Sequence, residues 1–180
     1  MKNTKKCPLK LNKTTLHGSA TQIKKPARFE LEGGKKWFVE HQSDNHKIEI
    51  EATMSQTIYI FKCEKSTIQI HGKCNSITVD SCKKINVVFD NAISQLEVVN
   101  CQSVKAQVMG KVSSVQVDKC DGFDMYLSKE SINAEFVTAK SSALNISVPT
   151  EDDDFKEFAV PEQFKTIWDG KKFVTTMAEQ

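Results

Sequence analysis

The stretch TIYIFKCEKSTIQIHGKCNSITVDSCKK (57–84) carries Cys63 and Cys82 nineteen residues apart, and two further steps of nineteen land on Cys101 and Cys120. The words around these cysteines repeat as well: TIYIFKCEK (57–65), SITVDSCKK (76–84), QLEVVNCQS (95–103) and SVQVDKCDG (114–122). Each reads polar, apolar, any, apolar, two variable residues, cysteine. A fifth copy, NAEFVTAKS, is expected from Asn133, with Ala134 and Phe136 as its apolar pair and Ala139 in the cysteine position. Self-similarity at a fixed period of this size marks a stacked-repeat architecture.

A second series shares the period. Its apolar pairs are Ile68/Ile70, Val87/Phe89, Ala106/Val108, Met125/Leu127 and Leu144/Ile146, followed at equivalent places by Gly72, Asn91 and Gly110. An apolar–any–apolar step is strand periodicity. Two short strands and two turns fill nineteen residues and leave no room for a regular helix. No helical spacing appears between Ile48 and Val148, and no leucine-rich-repeat signature. The spacing predicts an all-β chain wound as a parallel β-helix of about six coils, with equivalent residues stacked roughly 4.8 Å apart. The predicted inward ladders on one face are Ile58–Ile77–Leu96–Val115–Ala134 and Ile60–Val79–Val98–Val117–Phe136. Those on the other are Ile68–Val87–Ala106–Met125–Leu144 and Ile70–Phe89–Val108–Leu127–Ile146.

In this frame the four cysteines occupy an inward corner, where a small buried hydrophobe fits. A straight column of thiols does not form a tetrahedral metal site. Parallel Cβ atoms about 4.8 Å apart exceed disulfide spacing. Cys7 and Cys74 stand off the column and are expected to be incidental. The four histidines form no ligand pattern. No metal, cofactor or catalytic group is expected.

Composition narrows the function classes. The net charge is +2, and only one of 25 basic residues is an arginine, Arg28. Arginine is the preferred fork for phosphates and guanine edges, so a nucleic-acid partner is not expected. No apolar run approaches the roughly 18 residues of a membrane span. The basic start of the chain lacks an apolar core after it, so it does not read as a signal peptide. A cytoplasmic setting with reduced thiols is expected, with the sequons at Asn12 and Asn145 unmodified.

Residues 1–26 read as a basic arm and 27–180 as the β-helix domain. The segment 29–52, with Trp37, Val39, Ile48 and Ile50, reads as an irregular opening coil. The repeat stops at Pro149, and 150–163 reads as an acidic loop. Asp169–Gly170, between alternating apolar runs, is a strong hairpin signal. Phe164, Ile167, Trp168, Phe173 and Val174 are many large apolar groups for a two-stranded ribbon, which is marginal alone. Exchange of the terminal hairpin, 161–180, between two chains would bury them in a symmetric homodimer.

Several words in order, LEGGKKWFVE (31–40), GKCNSITVDSCKK (72–84), VMGKV (108–112), AKSS (139–142) and VPEQFKTIW (160–168), resemble the C-terminal domain of the cyclase-associated proteins. The resemblance runs over roughly 27–180. It does not extend to that family's helical domain, proline-rich linker or WH2 segment. It implies a right-handed parallel β-helix dimerised through its hairpin, and a cytoskeleton-associated protein without enzymatic activity. It further implies sequestration of monomeric actin, with preference for the ADP form, displacement of cofilin and faster nucleotide exchange. The contact residues it suggests here are Lys73, Asn75, Thr78, Asp80, Lys83 and Lys84, with Thr175 and Thr176 in the tail.

The outward rows expected from the period are Tyr59, Thr78, Glu97, Gln116 and Glu135 on one sheet, and Gln69, Val88, Gln107, Tyr126 and Asn145 on the other. Lysines at the turns, among them Lys62, Lys65 and Lys119, would steer an acidic partner such as actin. Two other classes remain open. A GTPase regulator of the tubulin-cofactor-C type would need Arg28 as its finger. A β-helix carbohydrate-active enzyme could use Glu97 and Glu135, two coils and about 9.6 Å apart, as an inverting carboxylate pair.

Overall fold

The computed structural model describes residues 25–152 and 154–178, which form sixteen strands. In chain order they are β1 (Arg28–Glu32), β2 (Lys36–Glu40), β3 (Ile48–Ala52), β4 (Thr57–Phe61), β5 (Thr67–Cys74), β6 (Ser76–Asp80), β7 (Lys83–Ala92) and β8 (Leu96–Val99). Then follow β9 (Gln102–Val108), β10 (Ser114–Asp118), β11 (Asp121–Tyr126), β12 (Glu135–Ala139), β13 (Ser142–Pro149), β14 (Phe155–Ala159), β15 (Phe164–Trp168) and β16 (Phe173–Met177). One seven-stranded sheet runs β1-β2-β4-β6-β8-β10-β12, and the second runs β3-β5-β7-β9-β11-β13-β14. Strands β2 to β13 alternate between the two sheets, so each pair is one coil of a parallel β-solenoid of six coils.

The period of nineteen is the strand register. Ile58 pairs with Ile77, Ile77 with Leu96, and Leu96 with Val115. On the second sheet Ile68 pairs with Val87, Val87 with Ala106, and Ala106 with Met125. These side chains are at most 2 % exposed, so stacking supplies a core that no single coil could bury. An inward column missed from the sequence, Ile85–Val104–Phe123–Leu144, lies next to them. Ile85 follows the lysine pair Lys83–Lys84, which masks its strand.

The cysteine corner is built from backbone as much as from sulfur. The residues just before each cysteine, Lys62, Ser81, Asn100 and Lys119, are left-handed, with φ between 50 and 55°. So are Lys65, Lys84 and Ser103, two residues after it. Each such residue costs about 1–2 kcal/mol. The cost is met by ladder bonds across coils, such as Lys62 N to Asp80 O (3.1 Å) and Lys83 N to Cys63 O (2.9 Å).

Each thiol bridges coils. The amides of Cys63 and Cys82 donate to Sγ of Cys82 and Cys101, both at 3.3 Å. Cys101 Sγ donates to Val99 O at 3.2 Å. The expected small hydrophobe is therefore also a hydrogen-bonding group. Cys101 and Cys63 on either side of Cys82, together with burial, push that thiol's pKa up. Cys74, expected to be incidental, is 0 % exposed at the opposite corner. Cys7 lies outside the described residues.

The last coil departs from the period. Val115 pairs with Phe136 and Val117 with Thr138, a spacing of 21. Met125 likewise pairs with Ile146 rather than Leu144. A 3-10 turn, Lys129–Ser131, lengthens the connection before β12 by two residues. Ser131 Oγ accepts from Val112 N at 3.0 Å and holds the longer turn against the coil before it. Ala134 and Ala139 thus leave the ladder and the cysteine column. Ser141 continues the column: its Oγ accepts from Cys120 N at 3.1 Å and donates to Ala139 O at 2.9 Å.

Both ends carry antiparallel strands. β1 folds back on β2, giving the opening coil regular strands rather than an irregular path. The segment read as an acidic loop contains β14, which pairs antiparallel with β13 and covers the edge of the second sheet. Its sequence FKEFA has no apolar alternation and follows an acidic run, so it carries no local strand signal. The predicted hairpin is present as β15 and β16, joined through Asp169 and Gly170.

Candidate protein-interaction face

The first sheet turns a flat face outward. Its central row is Phe38–Tyr59–Thr78–Glu97–Gln116–Val137, and the next is Glu40–Phe61–Asp80–Val99–Asp118–Ala139. Val137 replaces the expected Glu135 because of the longer last coil. On the second sheet Ser147, not Asn145, follows Tyr126, and Asn145 pairs with Asp124.

Of the residues suggested for partner contact, Thr78 and Asp80 stand side by side on this face, on β6. Thr78 Oγ1 donates to Glu97 at 3.3 Å, and Asp80 accepts from Ser81 Oγ at 2.8 Å and from Tyr59 OH at 3.0 Å. Burial and that hydrogen bond push the Tyr59 pKa up to about 12. Lys83 and Lys84 are exposed at the corner just beyond β6, and Lys73 and Asn75 are exposed at the corner just before it. The six residues therefore wrap one coil, with lysines at both margins and a fixed polar pair between. Thr175 and Thr176 lie on β16, in a separate two-stranded sheet, and are not brought to this coil by the chain's own pairing. Thr175 meets Thr166 across the hairpin, hydroxyl to hydroxyl, at 3.0 Å.

Sequence reasoning placed Tyr59 on this face but missed its aromatic neighbours Phe38, Phe61 and His41. Phe38 and Tyr59 meet edge to face at 6.2 Å, Tyr59 stacks on Phe61 at 5.7 Å, and His41 packs edge-on to Phe61 at 5.8 Å. Lys36 Nζ lies 4.9 Å from the Phe38 ring and 4.8 Å from Tyr59, and Lys62 Nζ lies 5.1 Å from Phe61. The available signal was the outward partner of each inward residue in β2 and β4. It required the 21-residue register of the first coil, Val39 to Ile60, which the period of nineteen does not supply.

The geometry removes the support for both other classes. Arg28 is held by Glu30, by Glu32 (2.8 Å) and by Glu40 (3.6 Å), and lies 4.0 Å over the Phe38 ring, so it is not a free finger. Glu135 pairs with Ser114 and leaves the row of Glu97, so the carboxylate pair is not assembled.

The hairpin is the second exposed feature. Phe164, Ile167, Trp168 and Phe173 are between 54 and 71 % exposed, and Val174 is half-buried. Among the described residues, β12 is the open edge of the first sheet, with Val137 49 % exposed.

A β-solenoid with a lysine-bordered outer face and an apolar terminal ribbon is, by class, a parallel β-helix domain. Comparison with known proteins places it further. The family described as adenylate cyclase associated (CAP) C terminal matches residues 25–180, and the chain belongs to that family. It is 55 % identical over 157 residues to adenylyl cyclase-associated protein 1 of Bos taurus, covering 87 % of this chain and 33 % of that protein. It is 53 % identical over 151 residues to adenylyl cyclase-associated protein 2 of Mus musculus, covering 83 % of this chain and 31 % of that protein. The chain thus spans about a third of the length of the curated relatives it matches. The crystal structure of cyclase-associated protein from Cryptosporidium parvum superposes with a TM-score of 0.78 at 29 % identity, over 86 % of this chain and 96 % of that one.

Proposed function

We propose that this chain binds monomeric actin, prefers its ADP-bound form and speeds the exchange of its nucleotide, working as a homodimer. The observation that carries the reading is family membership across every coil and the hairpin, together with the outer face of the first sheet. Among the described residues the ion pairs are those of Arg28 and Lys105. The lysines bordering β6 are therefore unpaired and available to an acidic surface. Lys73, Asn75, Thr78, Asp80, Lys83 and Lys84 would contact actin, and Thr175 and Thr176 would reach it from the hairpin.

Exchange needs no chemistry from this chain. A face that binds actin with an open, emptied nucleotide cleft more tightly than the closed, filled form shifts the population toward release. Where that face overlaps the site of cofilin, the two compete, which places the protein among regulators of filament turnover in the cytoplasm. For the dimer, the exposed apolar hairpin of one chain supplies cover, and the open β12 edge of the other lacks it.

The test is direct. Fluorescent-nucleotide ADP-actin mixed with the chain should release its label faster, and light scattering should return a complex containing two chains. An unchanged release rate removes the exchange activity, and a one-chain mass removes the dimer.

A further inference from the structure

We propose that the aromatic strip on the first two coils is the apolar anchor of the actin-binding face. It accepts a segment of the partner in which an apolar side chain is flanked by carboxylates. This inference rests on the actin reading above and names the chemistry by which that surface would be recognised.

The strip is Phe38, Tyr59 and Phe61 with His41 at its margin, all half-buried on a face whose other positions are mostly polar or small. Buried aromatic anchors ringed by weaker contacts dominate protein interfaces. The charges around the strip are unequal. Its carboxylates are occupied, Glu40 by Arg28 and Asp80 by Tyr59 and Ser81. Its lysines are not: Lys36 and Lys62 lie over the rings, and neither is ion-paired among the described residues. Cations seated on ring faces and lacking carboxylates favour an acidic partner whose own apolar group can meet the ring edges.

The surface is also already ordered. β2 and β4 pair in register through all five residues. The left-handed corners at His41 and Lys62 are held by His41 N to Phe61 O (3.0 Å) and Lys62 N to Asp80 O (3.1 Å). Tyr59 is pinned through its hydroxyl. Little side-chain freedom remains to be lost on binding, so contact area turns into affinity efficiently.

A single-stranded nucleic acid is the other partner that aromatic rings and lysines can recruit, by stacking bases. Here the ring faces are occupied. Arg28 and Lys36 cover Phe38, Lys36 and Phe61 cover Tyr59, and Tyr59 and Lys62 cover Phe61. A base would have to displace a cation to stack, whereas ring edges suit an aliphatic or aromatic side chain.

The experiment titrates the full chain with ADP-bound monomeric actin at low and moderate salt. It compares the unmodified chain with Phe61→Ala, with Lys36→Glu/Lys62→Glu, with Lys83→Glu/Lys84→Glu, and with Tyr126→Ala on the opposite sheet as control. Phe61→Ala should weaken binding about tenfold or more, as interface anchors do, and the control should not. Lys36→Glu/Lys62→Glu leaves the packed rings in place. It should weaken binding at low salt and flatten the salt dependence while leaving the melting temperature within a few degrees, which a merely structural role would not produce. If both strip variants bind as tightly as the unmodified chain while Lys83→Glu/Lys84→Glu binds weakly, the anchor is overturned and the actin reading stands. If the unmodified chain does not bind actin, the reading beneath the inference fails. If an oligothymidylate binds the chain and loses that binding in the strip variants, the assignment to an acidic protein segment is overturned.

Discussion

The two ends of the solenoid solve the same problem differently. At the N-terminal end β1 folds back on β2, Phe29 stacks on Trp37 at 5.5 Å, and Trp37 Nε1 donates to Gln56 at 3.2 Å. Beneath them Val39, Ile48 and Ile50 are at most 3 % exposed, so the first coil has a finished core. At the C-terminal end β14 covers only the second sheet. Phe136, Ile146 and Val148 are half-buried, Phe158 is 48 % exposed, and among the described residues β12 has no neighbour on its far side. A stack of coils buries each coil against the next, so the last coil must be closed by something else. One end is closed by its own chain, and the other presents apolar surface while the chain also carries an exposed apolar hairpin that packs chiefly on itself. That asymmetry is the physical argument for a second copy.

The comparison can be broken at its energetic root. Phe89, fully buried in mid-stack, should cost about 3–5 kcal/mol when cut to alanine. Phe136→Ala, at the open end, should cost well under half of that in a chain kept monomeric. Chemical denaturation reads both, and equal losses would show that the C-terminal end is as closed as the middle. Next in size is the hairpin. Trp168→Ala or Phe173→Ala should each weaken self-association by about 2–4 kcal/mol if they are interface anchors. Sedimentation should then find single chains at concentrations where the unmodified protein is paired.

A pH series sharpens the picture of the closed interior. Burial pushes the Cys74 thiol up to about 11 from its ordinary 9.0. The folded chain therefore holds this proton after the unfolded chain has released it. The stabilisation is complete below pH 9 and is lost as pH rises through 11, by about 2–3 kcal/mol in all. Cys74→Ala should flatten that fall in denaturation midpoints between pH 9 and 11. The smallest effect lies in the cysteine column. Ser141 shows that a hydroxyl can serve at this corner, so Cys101→Ser keeps the acceptor for Cys82 N. Cys101→Ala leaves that buried amide unpaired and should be less stable than the serine variant by about 1 kcal/mol.

Much of this was legible along the chain because a solenoid is local in an unusual sense. Each residue packs against its equivalents one coil away, so a period in sequence becomes a ladder in space. Columns through Ile77, Val87 and Cys82 followed directly from spacing. The hairpin was legible because Asp169–Gly170 has turn chemistry of its own. The aromatic strip was not, because Phe38 belongs to a first coil of 21 residues and its neighbour Phe61 was read only as a variable position.

The amino-acid order by itself determined the coil, most of its inward columns and the thiol file, since apolar alternation at a constant period admits one stacking. Only the tertiary structure decided where that constancy fails. The turn at Lys129–Ser131 takes up two extra residues because Ser131 can bond Val112 across the corner, and every later residue moves on by two. It likewise decided that Phe155–Ala159 becomes a covering strand, because an open sheet edge offers backbone partners that no local pattern announces.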